Sequence, residues 1–126
     1  MPEAPTRGVL VVTDDPALRA EAELAFPSDF DVAVCRDARE AWSDMDAWTP
    51  AVVIVDLLAG TAGGYALGRD MSQSPRLARV PILMLLDRHQ DEWLARQAGA
   101  SACKTKPIDA AELAATALSL VGDDAK

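Results

Sequence analysis

The sequence predicts an α/β domain, one parallel sheet with helices packed on both faces. Short runs of apolar residues alternate with segments of helical period, five of each along the chain. No internal repeat or linker interrupts the alternation. Right-handed crossovers turn such a pattern into a parallel sheet covered on both sides. The 126 residues suffice for one core and are too few for two.

Gly8-Val9-Leu10-Val11-Val12-Thr13 reads as a buried strand. Residues 16 to 26 follow as a helix with Leu18, Ala22 and Ala25 on one face. Asp15-Pro16 is a strong helix start, because Asp caps free N–H groups and Pro fits the first turn. Asp31 to Cys35 is a short strand with Val32 and Val34 on one side. Asp37 to Trp48 is helical, with Ala38, Trp42 and Met45 forming the apolar stripe. Ala51-Val52-Val53-Ile54-Val55-Asp56 is a third strand, apolar enough to be buried on both faces and closed by one carboxylate. A glycine-rich loop, Gly60 to Gly64, leads to a helix through Leu67 and Met71 that ends near Ser74-Pro75. Val80 to Leu86 is the fourth strand, and Arg88 to Ala98 the fourth helix, stopped by Gly99. Ala100 to Thr105 is the fifth strand. Asp109 opens the last helix, with Glu112 at capping-box spacing and Leu113, Ala117 and Leu120 as its stripe. Residues 1–6 and 123–126 are expected to be flexible tails around a domain at 7–122.

Composition excludes several functions. The formal net charge is −8 and no Lys/Arg cluster is present, which argues against binding nucleic acid or an anionic membrane surface. No apolar run approaches the roughly 18 residues of a membrane-spanning helix. Met1 to Thr6 lacks the basic and apolar regions of a signal peptide. Cys35 and Cys103 have no paired spacing, and His89 is the single histidine, so neither a zinc site nor a thioredoxin motif is indicated. A cytoplasmic, reducing location is the expectation.

Chemistry concentrates at strand ends. In open parallel sheets, ligands bind beyond the carboxyl ends of the strands, where Asp56 stands. Asp14 and Asp15 follow the first strand in the same way. If those strands are neighbours, three carboxylates converge, and their mutual repulsion calls for a cation. Oxygen-only donors suit Mg²⁺. Lys106, in Thr105-Lys106-Pro107, follows the fifth strand and can reach back over the same edge, held extended by the proline after it. Taken singly, Asp15 reads as a helix cap, Asp56 as a polar strand end and Lys106 as a surface lysine. The combination points to a site.

Asp14-Asp15, Asp56 and Lys106-Pro107, together with Gly64, Pro81 to Leu85 and Gly99-Ala100, resemble the signature of the receiver (CheY-like) domain of bacterial two-component response regulators. The resemblance covers about residues 7 to 122. It implies a flavodoxin-like sheet in the order 2-1-3-4-5. It also implies that Asp56 is the phosphoacceptor, taking a phosphoryl group from a sensor histidine kinase or phosphotransfer protein. Asp14, Asp15, Asp56 and the backbone carbonyl of Leu58 would hold Mg²⁺, and Lys106 would contact the phosphoryl oxygens. The Lys106-Pro107 bond would be cis. Partners, or a second receiver, would use the face of helix four, strand five and helix five, where Trp93 and Leu94 lie. Strands two and five, on opposite edges, would keep Cys35 and Cys103 too far apart for a disulfide.

The departures from the family concentrate in its switch. Leu86 stands where a phosphoryl-binding hydroxyl is usual, with Asp87 beside it in place of a small residue. Cys103 replaces the usual aromatic, and Gly60 a usual proline. The leading expectation is a phosphorylatable receiver with a non-standard switch, not an enzyme beyond its own phosphorylation and dephosphorylation. The alternative is a pseudo-receiver, an interaction module that works without phosphate. A phosphatase using Asp56 as nucleophile is less supported, because such enzymes carry a second Asp where Leu58 stands. A bound flavin phosphate would be repelled by the three carboxylates.

Overall fold

The computed structural model describes residues 7–57 and 63–121. The expected tails and Gly60 to Ala62 lie outside the described residues. The elements follow the order β1 (Arg7–Val12), α1 (Pro16–Ala25), β2 (Phe30–Cys35), α2 (Ala38–Met45), β3 (Val52–Asp56), α3 (Gly64–Ser72), β4 (Ile82–Leu86), a 3₁₀ turn (His89–Asp91), α4 (Glu92–Gln97), β5 (Ala102–Thr105) and α5 (Ala110–Val121). The five strands form one parallel sheet in the order β2-β1-β3-β4-β5.

Two cores follow from strand alternation. Leu10 and Val12, Val53 and Val55, and Ile82, Met84 and Leu86 face one side with Ala41 and Met45 of α2, Leu67 and Met71 of α3, and Ala95 of α4. Val9 and Val11, Val52 and Ile54, and Leu83 and Leu85 face the other side with Leu18 and Ala22 of α1 and Leu113, Ala117 and Val121 of α5. β3 and β4 are therefore buried at every position, while edge strands β2 and β5 are only partly buried. Each fully buried Leu or Ile side chain contributes about 1.5–3 kcal/mol.

The helix starts obey local chemistry. Asp15 Oδ1 accepts the Ala17 N–H at 2.9 Å with Pro16 in the first turn, and Asp37 Oδ1 accepts the Glu40 N–H at 2.9 Å. Asp109 Oδ1 accepts the Glu112 N–H at 2.8 Å. The capping box is only half formed, because the Glu112 carboxylate pairs with Lys104 Nζ at 3.0 Å. Gly99 ends α4 with φ +104°, the left-handed conformation expected of a terminating glycine.

Two elements differ from their sequence expectation. Residues 88–98 divide into the 3₁₀ turn and a six-residue α4. In α2 the stripe runs through Ala41 and Met45, and Trp42 is 39% exposed. A large aromatic at helical spacing is a weaker guide to facing than the inward direction set by the neighbouring elements. Trp93 likewise does not cover core, being 68% exposed. Cys35 and Cys103 are free thiols on the two outer strands, as the strand order requires. Burial pushes the Cys35 thiol up to about 12, with nearby Asp44 adding to the shift, so it stays protonated and inert. Among the described residues no helix is long and apolar enough to cross a membrane.

Gly68 marks the closest approach of α3 to the C-terminal end of α4. A methyl group there would collide with the Ala98 carbonyl and lie 2.8 Å from Met84 Cε. Gly68→Ala is expected to destabilise the fold by about 1–2 kcal/mol, overpacking outweighing alanine's better helix propensity. Urea unfolding of the two proteins measures the difference.

Candidate functional site

Asp56 closes β3 with 1% exposure, one of two buried polar residues among those described. The other is Thr13, 2% exposed, just past the end of β1. The β1–β3 register ends at Val12↔Val55 and brings Thr13 alongside Asp56. Alternation places Thr13 on the side of Val9 and Val11 and Asp56 on the side of Val52 and Ile54, the same side of the sheet. Thr13 Oγ1 donates to Asp56 Oδ2 at 2.7 Å and accepts the Asp15 N–H at 3.0 Å.

Lys106 arrives from the end of β5. Its backbone N–H donates to the Leu86 carbonyl at 2.9 Å, and the Lys106-Pro107 bond is cis. Its ammonium donates to Asp15 Oδ2 at 3.0 Å and to Asp56 Oδ2 at 3.2 Å. Thr13, Asp56, Lys106 and Asp15 thus close a hydrogen-bonded ring. Charge-assisted bonds of this kind are about twice as strong as neutral ones.

Electrostatics follow from the ring. The Lys106 hydrogen bond, then the Ala17 N–H, hold the Asp15 carboxyl below its usual range. For Lys106, burial is the largest single influence and disfavours the ammonium. The hydrogen bonds to Asp15 and Asp56 and the charges of both outweigh it, so the lysine titrates above its usual range.

The structure brings Asp15, Asp56 and Lys106 together. Asp14 is exposed and lines a cleft of about 210 Å³ together with Thr13, Asp15, Arg19 and Arg36. Among the described residues no three acidic, His or Cys side chains gather as a metal cluster. The carboxylates that meet at Lys106 are those of Asp15 and Asp56, Asp15 capping α1 with Oδ1 and serving Lys106 with Oδ2. The donors at this edge are oxygens, which suits a hard cation such as Mg²⁺, and Asp14 retains that capacity. Leu58 lies outside the described residues. Leu86 is 2% exposed, with its side chain in the core on the α2–α3–α4 side. Only its carbonyl serves the site, through Lys106. Cys103 is half-buried against that same core, its thiol raised chiefly by burial. The sequence alone does not single out Thr13, which looks like the last residue of a strand; the β1–β3 register is the signal that finds it.

A buried carboxylate and a lysine at the carboxyl edge of a 2-1-3-4-5 parallel sheet define a class of α/β domain whose chemistry sits on that edge. The chain belongs to the response regulator receiver domain family, whose model matches residues 9–118. It is a receiver domain of two-component signal transduction. It is 31% identical over 117 residues to the response regulator Rre1 of Synechocystis, covering 90% of this chain and 51% of that protein. The chain thus spans about half the length of that relative. Among solved structures, it is similar to the signal receiver domain of a histidine kinase from Syntrophus aciditrophicus, at 26% identity and a TM-score of 0.79 over 96% of this chain and 95% of that one. The receiver domain of the sensor histidine kinase PA1611 from Pseudomonas aeruginosa shares the fold at 22% identity and a TM-score of 0.78, over 94% of this chain and 100% of that one. That structure has a magnesium ion coordinated in its active site cleft.

The Asp15–Lys106 pair has a pH window. A depressed Asp15 pKa stabilises the fold above the unfolded value of about 4, and the contribution is lost as pH falls through the folded value. A raised Lys106 pKa stabilises below about 10.4 and is lost as pH rises through its folded value. Asp15→Asn keeps the cap, since Asn caps as well as Asp, and removes the titrating charge. It is expected to flatten part of the stability loss below about pH 4, measured by urea unfolding across pH.

Proposed function

We propose that Asp56 is the phosphoacceptor of this receiver domain. The observation that carries the reading is the buried Asp56 carboxylate with Lys106 Nζ at 3.2 Å, at the open end of a parallel sheet. An Asp56 oxygen gives an electron pair to phosphorus as the bond to the donor's leaving group breaks, and the leaving group departs with that bond's electrons. The product is an aspartyl phosphate. Lys106, already placed between two carboxylates, then offers its ammonium to the incoming phosphoryl oxygens.

Asp14, Asp15, Asp56 and the backbone carbonyl of Leu58 are the residues we assign to Mg²⁺, which when bound neutralises charge on the transferring group. The magnesium in the PA1611 receiver supports this assignment. For Asp15 it requires that Lys106 be released from Oδ2. The proposed phosphodonor is a sensor histidine kinase or phosphotransfer protein. The proposed output face is α4, β5 and α5, where Trp93 and Leu94 are exposed. We assign the domain to residues 7–122 and its location to the cytoplasm, with no catalytic role beyond its own phosphorylation and dephosphorylation.

Leu86 favours phosphorylation over the phosphate-independent alternative. Its side chain is committed to the core on the α2–α3–α4 side, whereas Thr13 and Asp56 stand on the other side of the sheet. Incubation of the purified chain with Mg²⁺ and acetyl phosphate is expected to add one phosphoryl group by intact mass, and Asp56→Asn is expected to add none. An unmodified wild-type chain, checked for folding by circular dichroism, would overturn the reading.

A further inference from the structure

Thr13 has two hydrogen bonds at the site and no part in the chemistry just described. It is buried, it stands beside Asp56, and its hydroxyl is used in both directions. The proton goes to Asp56 Oδ2 at 2.7 Å, and a lone pair takes the Asp15 N–H at 3.0 Å. The Asp15 N–H can only donate and the carboxylate oxygen can only accept, so the Thr13 proton points to Asp56.

We propose that Thr13 is a positioning residue for phosphoryl transfer, orienting the Asp56 carboxylate through its hydroxyl. The proposal rests on Asp56 being the acceptor. A carboxylate at a strand end can rotate about its Cβ–Cγ bond, a broad, weakly restrained torsion. Lys106 is a poor restraint on that rotation. Its ammonium is a point charge on a flexible four-carbon stem, and it also serves Asp15. Thr13 is short, β-branched and stiff about its side-chain torsion, and it is anchored to the backbone at Asp15. It holds Oδ2 on the side of Lys106, and so fixes the face that Asp56 presents to an incoming phosphorus.

Orientation is worth a large share of a transfer barrier, and misplacement by about 1 Å can cost roughly 100-fold. The loss expected for one hydroxyl is smaller, because Lys106 still holds the same oxygen. In the step concerned, the Asp56 oxygen forms a bond to the phosphorus of acetyl phosphate. The bond from phosphorus to the acetyl oxygen breaks, and acetate leaves with the electron pair. No proton and no further reactant is needed.

The experiment compares Thr13→Val, Thr13→Ala and Thr13→Ser with wild type, following phosphorylation by acetyl phosphate with Mg²⁺ over a range of donor concentrations. Val keeps the shape and removes the hydroxyl, Ala removes both, and Ser restores the hydroxyl alone. The maximal rate is expected to fall about 10-fold in the Val and Ala variants. The half-saturating donor concentration should stay within about twofold, and Ser should recover most of the rate. A role confined to structure would track unfolding stability and would not be rescued by Ser. Val or Ala at the wild-type rate overturns the positioning role, as does Ser failing as badly as Val. A wild-type chain that takes no phosphate removes the acceptor reading, and the positioning role falls with it. A modified wild type alongside fully active variants removes only the role of Thr13.

Discussion

A carboxylate with 1% exposure must be compensated where it stands, and the other parts of the site are arranged to meet that requirement. Leaving an ion of this size unpaired in the interior costs several kcal/mol. Asp56 receives a neutral donor from Thr13 on β1's side and a cation from Lys106 beyond β5. These come from opposite flanks of β3, so the carboxylate is served only if β1 pairs on one side of β3 and β4, then β5, on the other. The strand order that buries the apolar runs is also the one that satisfies the single charge at the end of β3.

Asp15 shows how tightly the ring is drawn. It caps α1 with one oxygen and pairs with Lys106 through the other, while its own N–H returns to Thr13. The capping chemistry and the site chemistry that the sequence offers as alternatives for this residue are both real, carried by different atoms. That sharing sets Asp15 apart from Asp14. Asp14 has the same charge one residue earlier and is exposed on the cleft.

Legibility in the sequence tracks how many constraints act on a residue. β1, β3 and β4 are easily read because both faces are buried and each carries a continuous apolar run, Val9 to Val12, Val52 to Val55 and Ile82 to Leu86. The alternation of strands and helices then fixes the class, and resemblance supplies the order. Trp42 departs from its expected facing because an exposed aromatic keeps the same spacing as a buried one. The fourth helix is shorter than its pattern because a 3₁₀ turn and an α-helix share similar residues over so short a span. At the site, Asp56 and Lys106 stand out as charges next to apolar runs. Thr13 is invisible for the opposite reason: a threonine at the end of a β-strand is ordinary, and only its pairing partner across the sheet gives it a task.

The same alternation separates the atoms that respond to Asp56 from those that cannot. Thr13 and Asp56 belong to the side of the sheet packed by α1 and α5, whereas the Leu86 side chain and Cys103 pack towards α2, α3 and α4. Leu86 meets the site only through its carbonyl, which holds the backbone of Lys106. A change of charge on Asp56 therefore acts on Thr13 and Lys106, and through both of them on Asp15 and the first turn of α1. An apolar side chain closed into the core at position 86 offers no donor to follow that change. The ring supplies what Leu86 lacks: polar atoms that must re-pair whenever the charge on Asp56 is altered.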